Sequence, residues 1–381
     1  MLITGNVVTK ESCFYGELEW EKDRITAIRS LGEMREKTSF ILAGFIDTHF
    51  HGMGSFDAEE ADSLEGIAAF AAEKGLTSIA PTLSTLPREH TVNWLKKVRS
   101  LAEAEDNGTK GAKIAGAHLE GPWLSHRFKG GMREDMLRLP TMEEAALYVK
   151  TAGDTLKIVT IAPELPGSRE VITYLKKNNI TVSLGHSECP PEDFPGYVDL
   201  GISQVCHLFD AYDVPVSNGG VRQPALTDMI LVDDSVMIEV ILDGLHVPEK
   251  LIRLIHKAAG AGRIIGITDA MQGAGLPCGR FLCEGRWYVI KDGDVGRLEE
   301  TGGIVGSSLT INRAFLNMTQ RFGFTPSEAS RCLSANPAKA LGLENRTGEL
   351  KEGLAADIAI LAPDSLTVEK TIVNGNTVYG M

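Results

Sequence analysis

LKIVTIAPELPGSREVITYLKKNNITVSLGH, residues 156–186, reads as one strand–helix–strand unit. A short apolar run, Leu156-Lys-Ile-Val-Thr-Ile-Ala, is followed by a helix-like segment, Ser168–Lys177, and by a second run, Ile180-Thr-Val-Ser-Leu-Gly-His. The same alternation extends in both directions. Upstream lie Phe45-Ile-Asp-Thr-His, Leu76-Thr-Ser-Ile-Ala and Lys113-Ile-Ala-Gly-Ala-His-Leu-Glu, and downstream Ile202-Ser-Gln-Val-Cys-His, Val236-Met-Ile-Glu-Val-Ile-Leu and Arg263-Ile-Ile-Gly-Ile-Thr-Asp. Helical segments separate them, among them 62–74, 87–105, 142–152 and 248–259, two of which open on Pro, where its missing amide proton has no helical partner to lose. Eight such units in about 280 residues predict an α/β fold, a (β/α)₈ barrel of the TIM type. A doubly wound open sheet accommodates eight regular units less well.

The flanks differ. Leu2 to Val8, Cys13 to Trp20 and Arg24 to Ile28 are short strand-like runs, and so are Gly348-Glu-Leu, Ala356 to Leu361 and Val368 to Val378, the last with Asn374-Gly375 as a hairpin signal. Neither flank can bury a core alone. The expected organisation is a small β-sandwich domain built from both ends, residues 1–43 and 346–381, around a metal-dependent barrel of residues 44–345.

Composition narrows the function classes. The chain has 381 residues, 43% hydrophobic and 23% charged, which excludes wholesale disorder. Its 38 Lys and Arg against 51 Asp and Glu leave a net charge of -13, which argues against nucleic acid or an anionic membrane as the main partner. A phosphorylated small molecule stays open, because a few local donors suffice to bind one. The six cysteines include no CxxC pair and are expected to be reduced, mostly buried thiols. With no signal-peptide pattern at the start and no long apolar span, a cytoplasmic protein is expected.

Chemistry-bearing residues collect at the ends of the apolar runs: His49 and His51 at the first, Glu120 at the third, His186 at the fifth, His207 at the sixth and Asp269 at the eighth. In a barrel such ends converge on one mouth, where these enzymes keep their active sites. Imidazoles and carboxylates around an open position suit a catalytic divalent metal, zinc first and ferrous iron second, as one ion or two. A lone His at a strand end is ordinarily a hydrogen-bonded structural residue; the coincidence of five candidates among nine histidines changes the balance. The fifth, His118, shares a strand face with Glu120 and is read as a hydrogen-bond partner of the ligands. His90, His126 and His256 read as surface residues, and Cys206 as a packing residue on the face opposite His207. Asp269 is a natural proton acceptor for the water such a metal activates. Arg222, in the loop after the sixth run, and His246, after the seventh, suit an anionic or hydroxylated substrate.

Ala43-Gly-Phe-Ile-Asp-Thr-His-Phe-His-Gly resembles the first-strand motif of the amidohydrolase superfamily. His118-Leu-Glu-Gly-Pro-Trp, Leu184-Gly-His-Ser, His207-Leu-Phe, Asp243-Gly-Leu-His-Val, Thr268-Asp-Ala-Met, Gly306-Ser-Ser-Leu-Thr and Asn336-Pro-Ala-Lys-Ala-Leu-Gly follow in order. Over nearly the whole chain the set resembles the N-acetylglucosamine-6-phosphate deacetylase family. The resemblance implies hydrolysis of the acetamide of an N-acetylated amino sugar phosphate. It also implies a metal on Glu120, His186 and His207, a second on His49 and His51, Asp269 as acid/base, and a homodimer in which Arg222 and His246 meet the substrate. Two stretches depart from the family pattern. Gly130-Gly131-Met132 stands where Gly-Ala-His is usual, and Asp210-Ala211-Tyr212 stands where Asn-Ala-Met is usual near the phosphate. Met132, Asp210 and Ala211 are therefore candidate substrate-binding positions, and an unphosphorylated N-acyl compound is the alternative substrate.

Overall fold

The computed structural model describes residues 1–212, 214–283 and 285–380. The strands of the two chain ends form one seven-stranded sheet. Its order is Asn376–Tyr379, Val368–Val373, Ile358–Leu361, Phe40–Ala43, Leu2–Val8, Cys13–Glu21 and Arg24–Gly32. The sheet curls until its edges approach each other: Trp20 Nε1 donates to the Gly375 carbonyl at 3.2 Å, and Arg24 bridges Ala355. The curl encloses Val7, Leu18, Trp20, Ile25, Ile41, Ile358 and Ile372, so a single sheet supplies both faces of the expected sandwich. Asn374 and Gly375 both have positive φ, the backbone a two-residue hairpin of this hand requires. Gly348-Glu-Leu is not a strand. Gly348 turns at φ +94 and passes so close to Ala338 that an added Cβ would sit 2.5 Å from the alanine methyl.

The central region is a parallel barrel. Its strands are Phe45–Asp47, Leu76–Ile79 continuing as Thr82–Leu83, Lys113–Ile114 continuing as Ala117–Glu120, Leu156–Ile161, Thr181–Leu184, Ile202–Val205, Met237–Ile241 and Ile264–Ile267. Breaks at residues 80–81 and 115–116 divide the hydrogen bonding into two arcs that share the second and third strands. The ring closes just beyond the eighth strand: Asp269 N donates to the His49 carbonyl at 2.9 Å, and the Thr268 hydroxyl donates to Asp47 at 2.6 Å.

Strand side chains such as Phe45, Ile79, Val182 and Ile238 are fully buried, each contributing about 1.5–3 kcal/mol of hydrophobic stabilisation. The outer helices cover them with apolar stripes. Ser168–Lys177 buries Val171, Ile172 and Leu175 at helical spacing, and Met142–Ala152 starts where the Thr141 hydroxyl caps the Glu144 amide. No helix among the described residues is long and apolar enough to cross a membrane.

Three antiparallel excursions interrupt the alternation on the side of the strand C-termini: a short hairpin of Gly52–Met53 with Phe56–Asp57 after the first strand, and two others. Of these, one is a small hairpin, Ser217–Asn218 with Val221–Arg222, after the sixth strand. The other is a three-stranded antiparallel sheet after the eighth: Gly279–Cys283, Arg286–Ile290 and Arg297–Leu298. That sheet packs on its own cluster of Met271, Cys283, Tyr288, Ile290 and Leu298 and covers part of the barrel mouth.

Candidate metal centre and active site

Each barrel strand stops at the mouth, and the residues just beyond it carry the polar groups. His186 and Asp269 lie two residues past their strands with φ of +44 and +47, a left-handed turn that aims both side chains inward. That conformation costs a non-glycine residue roughly 1–2 kcal/mol, and such strain collects where function fixes a side chain.

The inward side chains surround one carboxylate. Glu120 Oε1 lies 3.0 Å from His207 Nε2, 3.1 Å from His186 Nε2 and 3.3 Å from His49 Nε2, while Glu120 Oε2 lies 3.0 Å from His51 Nε2. Asp269 Oδ1 is 3.4 Å from His51 Nε2 and 3.7 Å from His49 Nε2. All six residues are buried. The far sides of the rings are held as well. His186 Nδ1 donates to the Phe128 carbonyl at 2.6 Å, which turns Nε2 towards Glu120. His49 Nδ1 meets Glu239 Oε2 at 3.1 Å, and Gln204 holds the other oxygen of Glu239 at 2.8 Å. A carboxylate behind an imidazole fixes its tautomer and raises its basicity towards a metal.

Electrostatics fit a cation. Burial opposes charge on every group here, yet proximity prevails. The Asp269 and Glu120 carboxylates raise His51 to about 10, and His49 and His207 are also pulled well above the ordinary imidazole range. Against the same burial penalty the facing imidazoles hold Glu120 well below the usual carboxylate range, and His51 and His49 hold Asp269 down. His49 Nε2 and His51 Nδ1 are buried without a hydrogen-bond partner, a condition that costs about 1–3 kcal/mol per group. Four imidazoles and two carboxylates, with an orphaned nitrogen among them, are a donor set that suits a divalent metal. His118 is not part of it and, against the sequence expectation, hydrogen-bonds none of its members. Burial and the neighbouring His49 depress it to about 4, and its two nitrogens are taken by the Thr48 carbonyl and the Thr160 hydroxyl, each at 2.8 Å.

A cavity of about 310 Å³ opens above this cluster, with Met132, Asp210, Ala211 and His246 on its walls. His246 is held by Asp243 at 2.6 Å through Nδ1 and reaches the Val305 carbonyl at 3.2 Å through Nε2. Burial works against its charge, but Asp243 raises it to about 9, so it is cationic at neutral pH.

Comparison with known proteins agrees with this geometry. The amidohydrolase family matches residues 293–378. N-acetylgalactosamine-6-phosphate deacetylase from Escherichia coli O157:H7 is 32% identical over 333 residues, 87% of this chain and 85% of that one. N-acetylglucosamine-6-phosphate deacetylase from Bos taurus is 32% identical over 388 residues, 98% of this chain and 90% of that one. The chain belongs to the N-acetylglucosamine-6-phosphate deacetylase family of amidohydrolases. A variant of the Mycobacterium smegmatis member, solved in complex with N-acetyl-D-glucosamine-6-phosphate, superposes with a TM-score of 0.89 at 28% identity, over 99% of each chain. The amidohydrolases are metal-dependent, and the buried cluster of this family member can hold a metal.

Two sequence expectations need correction in this member of the deacetylase family, and Arg222 lies outside this chain's own cavity. Cys206 does not face away. Strand pairing ends at Val205, the alternation of faces ends with it, and the Cys206 thiol turns inward to 3.5 Å from Glu120 Oε1 and 3.7 Å from His49 Nδ1. Arg222 does not reach the cavity and does not pair with Asp210. It sits on the small hairpin, its side chain 60% exposed, and bonds Asp228 at 2.8 Å. Of the three histidines read as surface residues only His126 is exposed. His90 bonds the Glu59 carbonyl, and His256 stacks on Phe324 at 3.8 Å and meets Glu328.

The sequence reading also missed groups. Glu239 carried a signal, a single acid inside an apolar strand run. Arg127 and Arg286 both line the cavity, and Arg286 donates to the Gly131 carbonyl at 3.0 Å. Arg286 lies in the antiparallel insertion, whose aromatic and β-branched run Arg286-Trp-Tyr-Val-Ile carries a strand signal but none that marks a wall of the site.

Proposed function

We propose that the protein hydrolyses the acetamide of N-acetylglucosamine 6-phosphate, consuming one water and giving glucosamine 6-phosphate and acetate. The observation that carries this reading is Glu120 ringed by four imidazoles from three other strand ends, with Asp269 beside them, at the floor of a substrate-sized cavity. The relative solved with N-acetyl-D-glucosamine-6-phosphate supports the choice of substrate.

In this reading Glu120, His186 and His207 hold a divalent metal, with zinc preferred and ferrous iron the alternative for such a donor set. His49 and His51 add a second position that shares Glu120. A metal bound there supplies Lewis-acid activation of water and of the amide carbonyl. Asp269 Oδ1 accepts the proton of the attacking water and returns it to the departing amine nitrogen; its depressed pKa leaves it ionised and ready as a base. Glu239 and the Phe128 carbonyl keep His49 and His186 in the orientation the donor set needs. His246, cationic and fixed by Asp243, can give the sugar a charge-assisted hydrogen bond by exchanging the one its Nε2 makes to the Val305 carbonyl, and Met132 and Ala211 supply apolar contact from the cavity wall. Arg222 is assigned to the phosphate of a partner subunit's substrate in a homodimer. Its exposure, and that of Val216 and Val221 on the same hairpin, supports this assignment. A sugar phosphate does not cross membranes unaided, so the reaction is expected in the cytoplasm.

Asp210 supports one second reading. Its carboxylate on the cavity wall opposes a phosphate, and like charges a few Å apart in a partly dry site cost on the order of a kcal/mol or more. An unphosphorylated N-acyl substrate avoids that repulsion. Acetate release from N-acetylglucosamine and N-acetylgalactosamine, each with and without the 6-phosphate, separates the two. The first reading requires a strong preference for the phosphates that Arg222→Ala reduces through KM. Equal or better turnover of the free sugars supports the second.

A further inference from the structure

We propose that Cys206 is a thiolate ligand of the metal held by Glu120 and His207, making the centre a mixed nitrogen, oxygen and sulfur site. The proposal rests on the reading of the strand-end cluster as a metal centre and concerns what completes its coordination.

A buried cysteine with no redox or metal role behaves as a small hydrophobe and packs among apolar side chains. Cys206 is fully buried, but its thiol points at a carboxylate and an imidazole. Sγ is 3.5 Å from Glu120 Oε1 and 3.7 Å from His49 Nδ1. One ligand atom each from His49, Glu120, Cys206 and His207 lie within 4.8 Å of one another. Tetrahedral zinc with a bond of about 2.3 Å to sulfur and about 2.0–2.1 Å to nitrogen or oxygen sets the sulfur about 3.5 Å from its neighbouring donors. The observed separation from Glu120 matches that value. His49 Nε2, fully buried and without a hydrogen-bond partner, points into the same group, towards Glu120. The thiol and the orphaned imidazole nitrogen thus each approach the Glu120 carboxylate, within one buried group of donors that a single cation could bridge.

Ligation exchanges the S–H bond for a sulfur–metal bond. The proton leaves to buffer and no oxidation occurs. A thiolate is a soft donor, so the site would discriminate against magnesium, calcium and manganese in favour of zinc, cobalt or ferrous iron.

X-ray absorption on the full-length protein loaded with zinc tests this without any mutation. A sulfur scatterer at about 2.3 Å is expected, and a first shell of nitrogen and oxygen alone in fully loaded protein would overturn the proposal while leaving the metal centre intact. Cobalt(II)-loaded protein gives a second readout, a near-ultraviolet thiolate-to-cobalt charge-transfer band. The band should be lost in Cys206→Ser and retained in Cys283→Ala, whose thiol lines the cavity outside the cluster. Loss in the Cys283 variant instead would overturn the assignment. If the protein takes up neither zinc nor cobalt, the metal-centre reading itself falls and this one with it. If Cys206→Ser does not fold, the wild-type X-ray absorption decides.

Discussion

Asp269→Asn is the substitution that isolates proton transfer from everything else Asp269 does. The backbone there is left-handed, φ +47, a conformation Asn tolerates and Ala does not adopt without a cost of roughly 1–2 kcal/mol. The main chain also closes the barrel, with Asp269 N on the His49 carbonyl at 2.9 Å and the Asp269 carbonyl accepting from Ser307 N at 2.6 Å. Asn preserves both bonds and the side-chain volume, and removes only the negative charge and the ability to accept and return a proton. General acid–base catalysis contributes about 10²–10⁴ in rate, so turnover should fall by that factor, about 3–5 kcal/mol in activation free energy. Because Asp269 is one donor among several, metal content should change little and KM less than turnover. The assay is steady-state acetate release together with metal analysis of the same preparation. Near-native turnover in Asp269→Asn with metal retained would refute Asp269 as the proton carrier.

Glu120→Ala removes the carboxylate on which the imidazoles converge, so metal analysis should find most of the metal gone; stoichiometric metal in that variant would contradict the ligand assignment. Glu239→Gln leaves His49 in place but weakens the anion behind its Nδ1, and metal affinity measured by chelator competition should fall about 10–100-fold; unchanged affinity would reduce Glu239 to a packing role. The raised pKa of His51 sets a pH window: stability gained from its protonated form is complete below 6.5 and is lost as pH rises to about 10. Calorimetry should therefore show the Tm of metal-free protein falling between those pH values, and titration with zinc at pH 8 should release protons; a flat Tm and no proton release would show that His51 is neutral without metal.

The parts of the fold legible in sequence were those set by local pattern. Ser168–Lys177 and Met142–Ala152 have the bounds their apolar spacing predicts, because each buries one stripe and ends where the stripe ends. The antiparallel insertion at Gly279–Cys283 and Arg286–Ile290 carried a strand signal, but a regular eightfold alternation leaves no place for it. At the site, the structure brings together the six residues found at the ends of apolar runs, since a parallel barrel sends all such ends to one rim. Cys206 escaped because alternation of faces was extrapolated past the last paired residue, Val205. The position of Arg222 was not legible for a different reason: a hairpin between strand and helix carries a side chain outward by a route no periodicity records. Glu239 contributes through His49, a contact spanning 190 residues of chain that only the folded barrel creates.

The central claim is that the strand-end cluster, loaded with metal, hydrolyses an N-acetyl amino sugar phosphate. The most direct measurement is acetate release from N-acetylglucosamine 6-phosphate by one preparation as purified, after chelator stripping, and after zinc or ferrous iron is restored. The account predicts activity in the first state, its loss in the second and its return in the third, in proportion to metal bound. Acetate release that persists in verified metal-free protein, or none in fully loaded protein, would contradict it.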